Sequence, residues 1–163
     1  MRHAKSNWHS SVSSDFDRPL NERGAKDAVR MGQWLQKQNI KPSLILSSPA
    51  ERAKQTALAV VDALQLNSDQ IQFNKDLYLA DRATLLRVLQ TVPDNTESVL
   101  LVAHNPGLDD LVEWLAPEPP ALSASGKLMT TAAIAMFEIP GAWSKLQRGA
   151  TALTQLLRPK ELD

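Results

Sequence analysis

Two arginines and two histidines carry the chemistry of this 163-residue chain. Arg2 and His3 stand side by side in the opening stretch MRHAKSNWH. Arg52 lies in LILSSPAERA at residues 44–53, where a short apolar run ends in two serines and a helical pattern begins. His104 lies in VLLVAHNPGL at residues 99–108, at the tip of a continuously apolar run and just before a proline. Two guanidinium forks and two imidazoles can contact the oxygens of a phosphoryl group almost completely. Catalysis of phosphoryl transfer is mostly positioning and charge stabilisation, so this inventory suits the reaction. Arginines that neutralise the charge remove the need for magnesium ligands, and a neutral imidazole is a competent nucleophile.

Each residue also has a plainer reading. Arg52 alone would be a surface salt-bridge former, His104 a satisfied buried histidine, and Arg2-His3 a frayed terminus. His9 reads as structural or solvent-exposed. What favours function is the placement of Arg52 and His104 at strand tips. An arginine in a helix's first turn opposes the helix dipole. It makes sense if an anion sits between the guanidinium and the first-turn N–H groups.

The elements that must position these groups follow from periodicity. Apolar spacing predicts helices over 22–38, with Asn21 as N-cap, over 50–64, with Pro49 suited to the first turn, over about 83–90, and over 108–115 after Pro106. Strands are expected at 44–46, 71–73, 98–102, 132–139 and 152–157. The run 99–102 suits a strand covered on both faces. Strands interleaved with helices imply an α/β three-layer sandwich with a mostly parallel central sheet flanked by helices. Chemistry in such sheets gathers beyond the carboxyl ends of the strands. The Pro/Ser-rich stretch 116–126 reads as a loop inside one domain spanning 1–163.

Bulk composition narrows the classes. Lys+Arg and Asp+Glu are both 18, with 43% hydrophobic and 22% charged residues. Neither nucleic acid nor a membrane is expected as partner, and any positive field must be local. With no cysteine, thiolate nucleophiles, thiolate metal sites and disulfides are excluded. No apolar stretch is long enough to span a bilayer, and the first 30 residues lack the apolar segment of a secretory signal. A cytoplasmic monomer is the expectation.

At these residues the chain resembles the histidine phosphatase superfamily, also called phosphoglycerate-mutase-like. Arg2-His3-Ala4 resembles the family's Arg-His-Gly, and Lys5-Ser6 with Trp8 resembles its small bacterial phosphohistidine phosphatase branch. DFDRPLNERG (15–24), LSSPAERAKQT (46–56), LYLA (77–80), HNPG (104–107) and LRPKEL (157–162) have counterparts there in the same order. The resemblance implies His3 as nucleophile, with Arg2, Arg52 and His104 binding the phosphoryl group, and neither cofactor nor metal. It implies a histidine-phosphorylated protein, such as a phosphotransfer domain, as substrate. Many members carry a glutamate general acid where this chain reads Leu77-Tyr78-Leu79, and Asp81 is the nearest carboxylate. Losing the acid suits an imidazole leaving group better than an alkoxide. Two alternatives stand beside this: a broad small-molecule phosphomonoesterase using Asp81, and a non-catalytic phospho-binding module. In this family the histidine hangs from the end of a first, interior strand. Only Met1 precedes Arg2 here, so that strand is expected to be missing, with Met1 an internal methionine of a longer chain.

Overall fold

Side-chain alternation along three short strands divides the core in two. In the computed structural model, which describes residues 1–162, β1 (Leu44–Ser47), β2 (Ile71–Phe73) and β3 (Val99–Val102) form a parallel sheet in the order β2-β1-β3. Ile45, Leu100 and Val102 point into one apolar cluster with α1 (Glu22–Lys37) and α2 (Glu51–Ala63), through Ala28, Met31, Leu35, Val60 and Val61. Leu46, Leu101 and Ala103 point the other way, against Leu85 and Leu89 of α3 (Arg82–Gln90) and Leu108 and Leu111 of α4 (Gly107–Leu115). A period of two along each strand therefore feeds two helical layers, as the continuous apolar run at 99–102 requires. A hairpin of β4 (Ile134–Glu138) and β5 (Ala152–Leu157) pairs antiparallel beside this sheet. No helix among the described residues is long and apolar enough to cross a membrane.

Local signals account for most boundaries. Asn21 caps α1, its side chain accepting from the Gly24 N–H at 2.8 Å. Pro49 does not occupy the first turn of α2: Ala50 is the N-cap and the helix begins at Glu51. The proline instead stands ahead of the cap, where its fixed φ turns the chain from strand into helix.

No strand precedes β1 among the described residues; its place beside β3 is taken by Met1–His3. The Met1 nitrogen donates to Leu101 O at 2.7 Å, Ala103 N–H donates to Met1 O at 3.2 Å, and His3 N–H donates to Ala103 O at 3.1 Å. On the opposite side Arg2 N–H donates to Ala133 O and Ala132 N–H to His3 O. These residues thus join the parallel sheet to the segment leading into β4, and His3 is pinned on both sides rather than free. The edges of β3 and β4 flank an apolar groove of about 710 Å³ lined by Val99, Leu100, Ile134, Met136 and Phe137.

Two glycines permit the close approaches that aim the site. A Cβ on Gly24 would stand 2.0 Å from Lys5 O, and one on Gly107 would stand 2.0 Å from Ala80 O. The first approach seats the His3 segment against α1; the second seats the turn before α3 against the helix that follows His104. Gly107→Ala should therefore cost about 1–3 kcal/mol, the usual toll of overpacking, read as a lower urea midpoint at unchanged m-value. An unchanged midpoint would contradict this packing.

Candidate active site

The carboxyl ends of β1 and β3 deliver Ser47-Ser48 and His104, and α2 carries Arg52 in its first turn. Met1–His3 runs alongside β3 and brings Arg2 and His3 to the same end of the sheet. All four residues singled out in the sequence line one cavity of about 400 Å³. His3 is 8% exposed, Arg52 2% and His104 1%, so three of the four are interior groups. His9 is exposed and lies outside the cavity.

Hydrogen bonds settle both imidazole tautomers. His3 Nδ1 is 2.8 Å from Ala4 O, a carbonyl that can only accept, so Nδ1 carries the proton. Nε2 is then unprotonated, and its lone pair accepts from Arg52 Nε–H at 3.4 Å. His104 is the reverse. Arg52 Nη2, which can only donate, lies 3.3 Å from its Nδ1, so the proton sits on Nε2 and is given to Ser48 Oγ at 2.8 Å. The ring centroids are 5.0 Å apart. Thr56 Oγ1 ties the arrangement together, accepting from Ala4 N–H at 3.0 Å and donating to Arg52 O at 2.6 Å.

Burial is the main cause holding the His3 pKa down to about 4, opposed by the Ala4 hydrogen bond and reinforced by the charges of Arg52 and Arg2. His104 is held to about 3, again by burial first, then by His3 and Arg52. Both rings are neutral at pH 7. Arg2 donates to Met129 O at 2.9 Å through Nη1, while its buried Nε has no partner. Arg2 as a whole lines the cavity and brings a second guanidinium charge to its wall.

Asp15, Arg18 and Tyr78 lie in the DFDRPLNERG and LYLA stretches of the sequence, but nothing there assigned them to the site. Asp15 reaches across from the loop before α1. Its Oδ2 accepts from Arg52 Nη2 and from Tyr78 Oη, both at 2.9 Å, and its backbone carbonyl accepts from Arg52 Nη1 at 2.6 Å. Partial burial pushes the Asp15 carboxyl up, but hydrogen bonds from Arg18 and Tyr78 and the charges of Arg52 and Arg18 prevail and hold it at about 2. Arg18 also donates to Ser6 Oγ and lies 3.6 Å over the Trp8 ring. The three-residue spacing of Asp15 and Arg18 was the available clue.

Two expectations are corrected. The first-turn amides of α2 do not all face the pocket: Glu51 N–H is taken by Phe16 O and Ala53 N–H by Ala50 O, so side chains dominate the anion site. Asp81 is the N-cap of α3, accepting from Thr84 N–H at 2.8 Å, and it lines a separate surface pocket with Asp110, Glu113 and Arg148. Among the described residues no group of three or more His, Asp or Glu is placed to hold a metal ion.

A neutral imidazole nitrogen beside two arginines suits the binding of an oxyanion. The model of the histidine phosphatase superfamily (branch 1) matches residues 1–78. Phosphohistidine phosphatase SixA of Escherichia coli is 32% identical over 117 residues, covering 70% of this chain and 73% of that protein. An uncharacterized protein of Mycobacterium tuberculosis is 31% identical over 165 residues, covering 98% of this chain and 100% of that one. The solved structure of the protein histidine phosphatase SixA complexed with tungstate is 30% identical, with a TM-score of 0.82 over 100% of this chain and 97% of that one. The chain belongs to the histidine phosphatase superfamily, in its small SixA-like branch.

The tautomers and depressed pKa values are directly testable. At pH 6, 15N-resolved imidazole spectra should show His3 protonated on Nδ1 and His104 on Nε2, with titration midpoints near 4 and 3. Below the ordinary value of 6.5 the unfolded chain takes up protons that the folded one refuses. These two groups therefore lower stability as the pH falls from 6.5, His3 down to about 4 and His104 down to about 3, and contribute nothing above that range. A midpoint at 6 or above for either ring would refute the burial argument.

Proposed function

We propose that the chain is a phosphohistidine phosphatase that dephosphorylates a histidine-phosphorylated protein, such as a phosphotransfer domain of a signalling pathway, through a phospho-His3 intermediate. The observation that carries this reading is the unprotonated Nε2 of a neutral His3 in the wall of the arginine-lined cavity. Its lone pair is held only by a long 3.4 Å contact from Arg52 Nε–H that an incoming phosphoryl group can displace. His3 Nε2 attacks phosphorus as the P–N bond of the substrate breaks. The electron pair of that bond stays with the departing imidazole, which leaves neutral after taking a proton from solvent. Arg2, Arg52 and His104 hold the phosphoryl oxygens, replacing water with fixed donors. In the resting site His104 Nδ1 accepts from Arg52 Nη2. It donates to a phosphoryl oxygen only after the incoming anion draws that Nη2–H onto itself and the ring takes its proton on Nδ1. Ser48 Oγ then donates to Nε2 across their 2.8 Å contact. Water next attacks phospho-His3, orthophosphate leaves, and the Nε2 lone pair is restored.

The carboxylates favour this substrate over a phosphate ester. An alkoxide needs a proton donor, but Asp15 is ionised down to about pH 2 and bound to Arg52, and Asp81 caps a helix elsewhere. Charge is neutralised by arginines, so the reading includes a metal-independent reaction in the cytoplasm by a monomer.

His3→Ala should abolish both turnover and labelling of the enzyme from a phosphohistidine protein, the label in wild type being acid-labile and alkali-stable. Arg52→Lys, which keeps the charge but loses the fork, should lower kcat/KM about 100-fold or more. Chelator treatment should leave wild-type turnover unchanged, and phosphate esters should be poor substrates. A labelled His3→Ala enzyme would overturn the assignment.

A further inference from the structure

Beside the catalytic cavity runs a second groove of about 450 Å³, and the two share Arg2, Lys5 and Thr131. Its walls carry Lys5, Arg23, Lys127 and Lys160, all exposed, and hydroxyls from Ser123 and Thr130. The one carboxylate lining it, Glu161, is spent on Arg158 at 2.8 Å. Lys5, Lys127 and Lys160 have no carboxylate partner among the described residues. In a chain with equal numbers of acidic and basic residues, this is a concentrated local field. The mouth of the catalytic cavity is apolar as well: Trp8, 72% exposed, and Leu79, 56% exposed, line it. Phe16, next in the chain to the lining residue Asp15, packs edge-on against Tyr78 with ring centroids 5.1 Å apart.

Leu79 is the telling residue. Its backbone stands at φ +50, in the left-handed region, which costs a non-glycine residue about 1–2 kcal/mol. The fold thus holds an apolar side chain out at the mouth of the site in a strained conformation and gains little burial in return. The same left-handed conformation ends α1 at Asn39 and α2 at Gln65, so it is the usual way to stop a helix. What sets Leu79 apart is that this stop leaves its apolar side chain at the cavity mouth, and exposed apolar groups rimmed by polar ones mark a protein interface.

We propose that the Lys127–Lys160 groove and the Trp8–Phe16–Leu79 rim together dock a protein substrate that presents acidic side chains on one side of its phosphorylated residue and an apolar patch on the other. This rests on the phosphohistidine-protein reading. The basic groove recognises and steers the partner, the apolar rim excludes water around the entering phosphoimidazole, and neither takes part in the chemistry. A small substrate bearing a single phosphoryl group would use neither.

The test compares wild type with Lys127→Glu/Lys160→Glu on two substrates: phosphoramidate, and a phosphorylated histidine phosphotransfer domain with acidic residues flanking its phosphohistidine. KM for the phosphoprotein should rise about tenfold or more at unchanged kcat, phosphoramidate turnover should be unaltered, and Lys127→Arg/Lys160→Arg should behave as wild type. Leu79→Asn, which suits positive φ, should raise the phosphoprotein KM without lowering the melting temperature. An unchanged phosphoprotein KM in the glutamate variant, or an equal loss on phosphoramidate, overturns the docking surface while leaving the phosphohistidine chemistry standing. A wild-type enzyme inert on both substrates overturns the chemistry and the docking surface with it.

Discussion

The site depends on one buried guanidinium. Arg52, 2% exposed, would be costly to bury without partners, and each of its three nitrogens has at least one: Nε at His3, Nη2 at His104 and the Asp15 carboxylate, Nη1 at the Asp15 carbonyl. The partners arrive from separate elements. His3 comes from the segment beside β3, His104 from the tip of β3, Asp15 from the loop before α1, and Arg52 itself from the start of α2. Removing the guanidinium would leave two imidazoles and a carboxylate without the group that relates them.

Desolvation and positive charge act in the same direction on the histidines. Groups suited to gripping a phosphoryl dianion also disfavour imidazolium, so His3 keeps its lone pair because of its neighbours rather than in spite of them. Asp15 balances the arginines from the edge of the cavity, its side chain still 43% exposed, and so moderates the field without burying a second full charge. The cationic character that remains extends outward along Lys5 towards Lys127 and Lys160.

Much of this was legible in the sequence because it is local. Apolar periodicity located the four α-helices and five strands, and the placement of Arg52 and His104 just past strand ends pointed to the crevice where they meet. Contacts that cross the molecule were not legible. Asp15 is 37 residues from Arg52 and 63 from Tyr78, and no periodicity encodes such a pairing. Asp81 shows the opposite case: an aspartate directly before an apolar helical run is a capping signal, and that local role describes it better than general acid. Pro49 was displaced by two residues because a proline that turns a strand into a helix can precede the cap as readily as follow it.

The seating of Met1–His3 between Leu101–Ala103 and Ala132–Ala133 has a consequence for how the molecule matures. These pairings join residues about a hundred or more positions apart, and such contacts are the slowest to form because loop closure must precede them. The helices rely on local hydrogen bonds and the β1–β3 pairing on a separation about half as long, so both can assemble before the terminal segment is seated. His3 is held in place only when the far half of the chain has come home, so competence is acquired at the end of folding. A partly folded chain would already carry Arg52 and His104 in their elements, yet would lack the third member of the cluster, His3, fixed beside them.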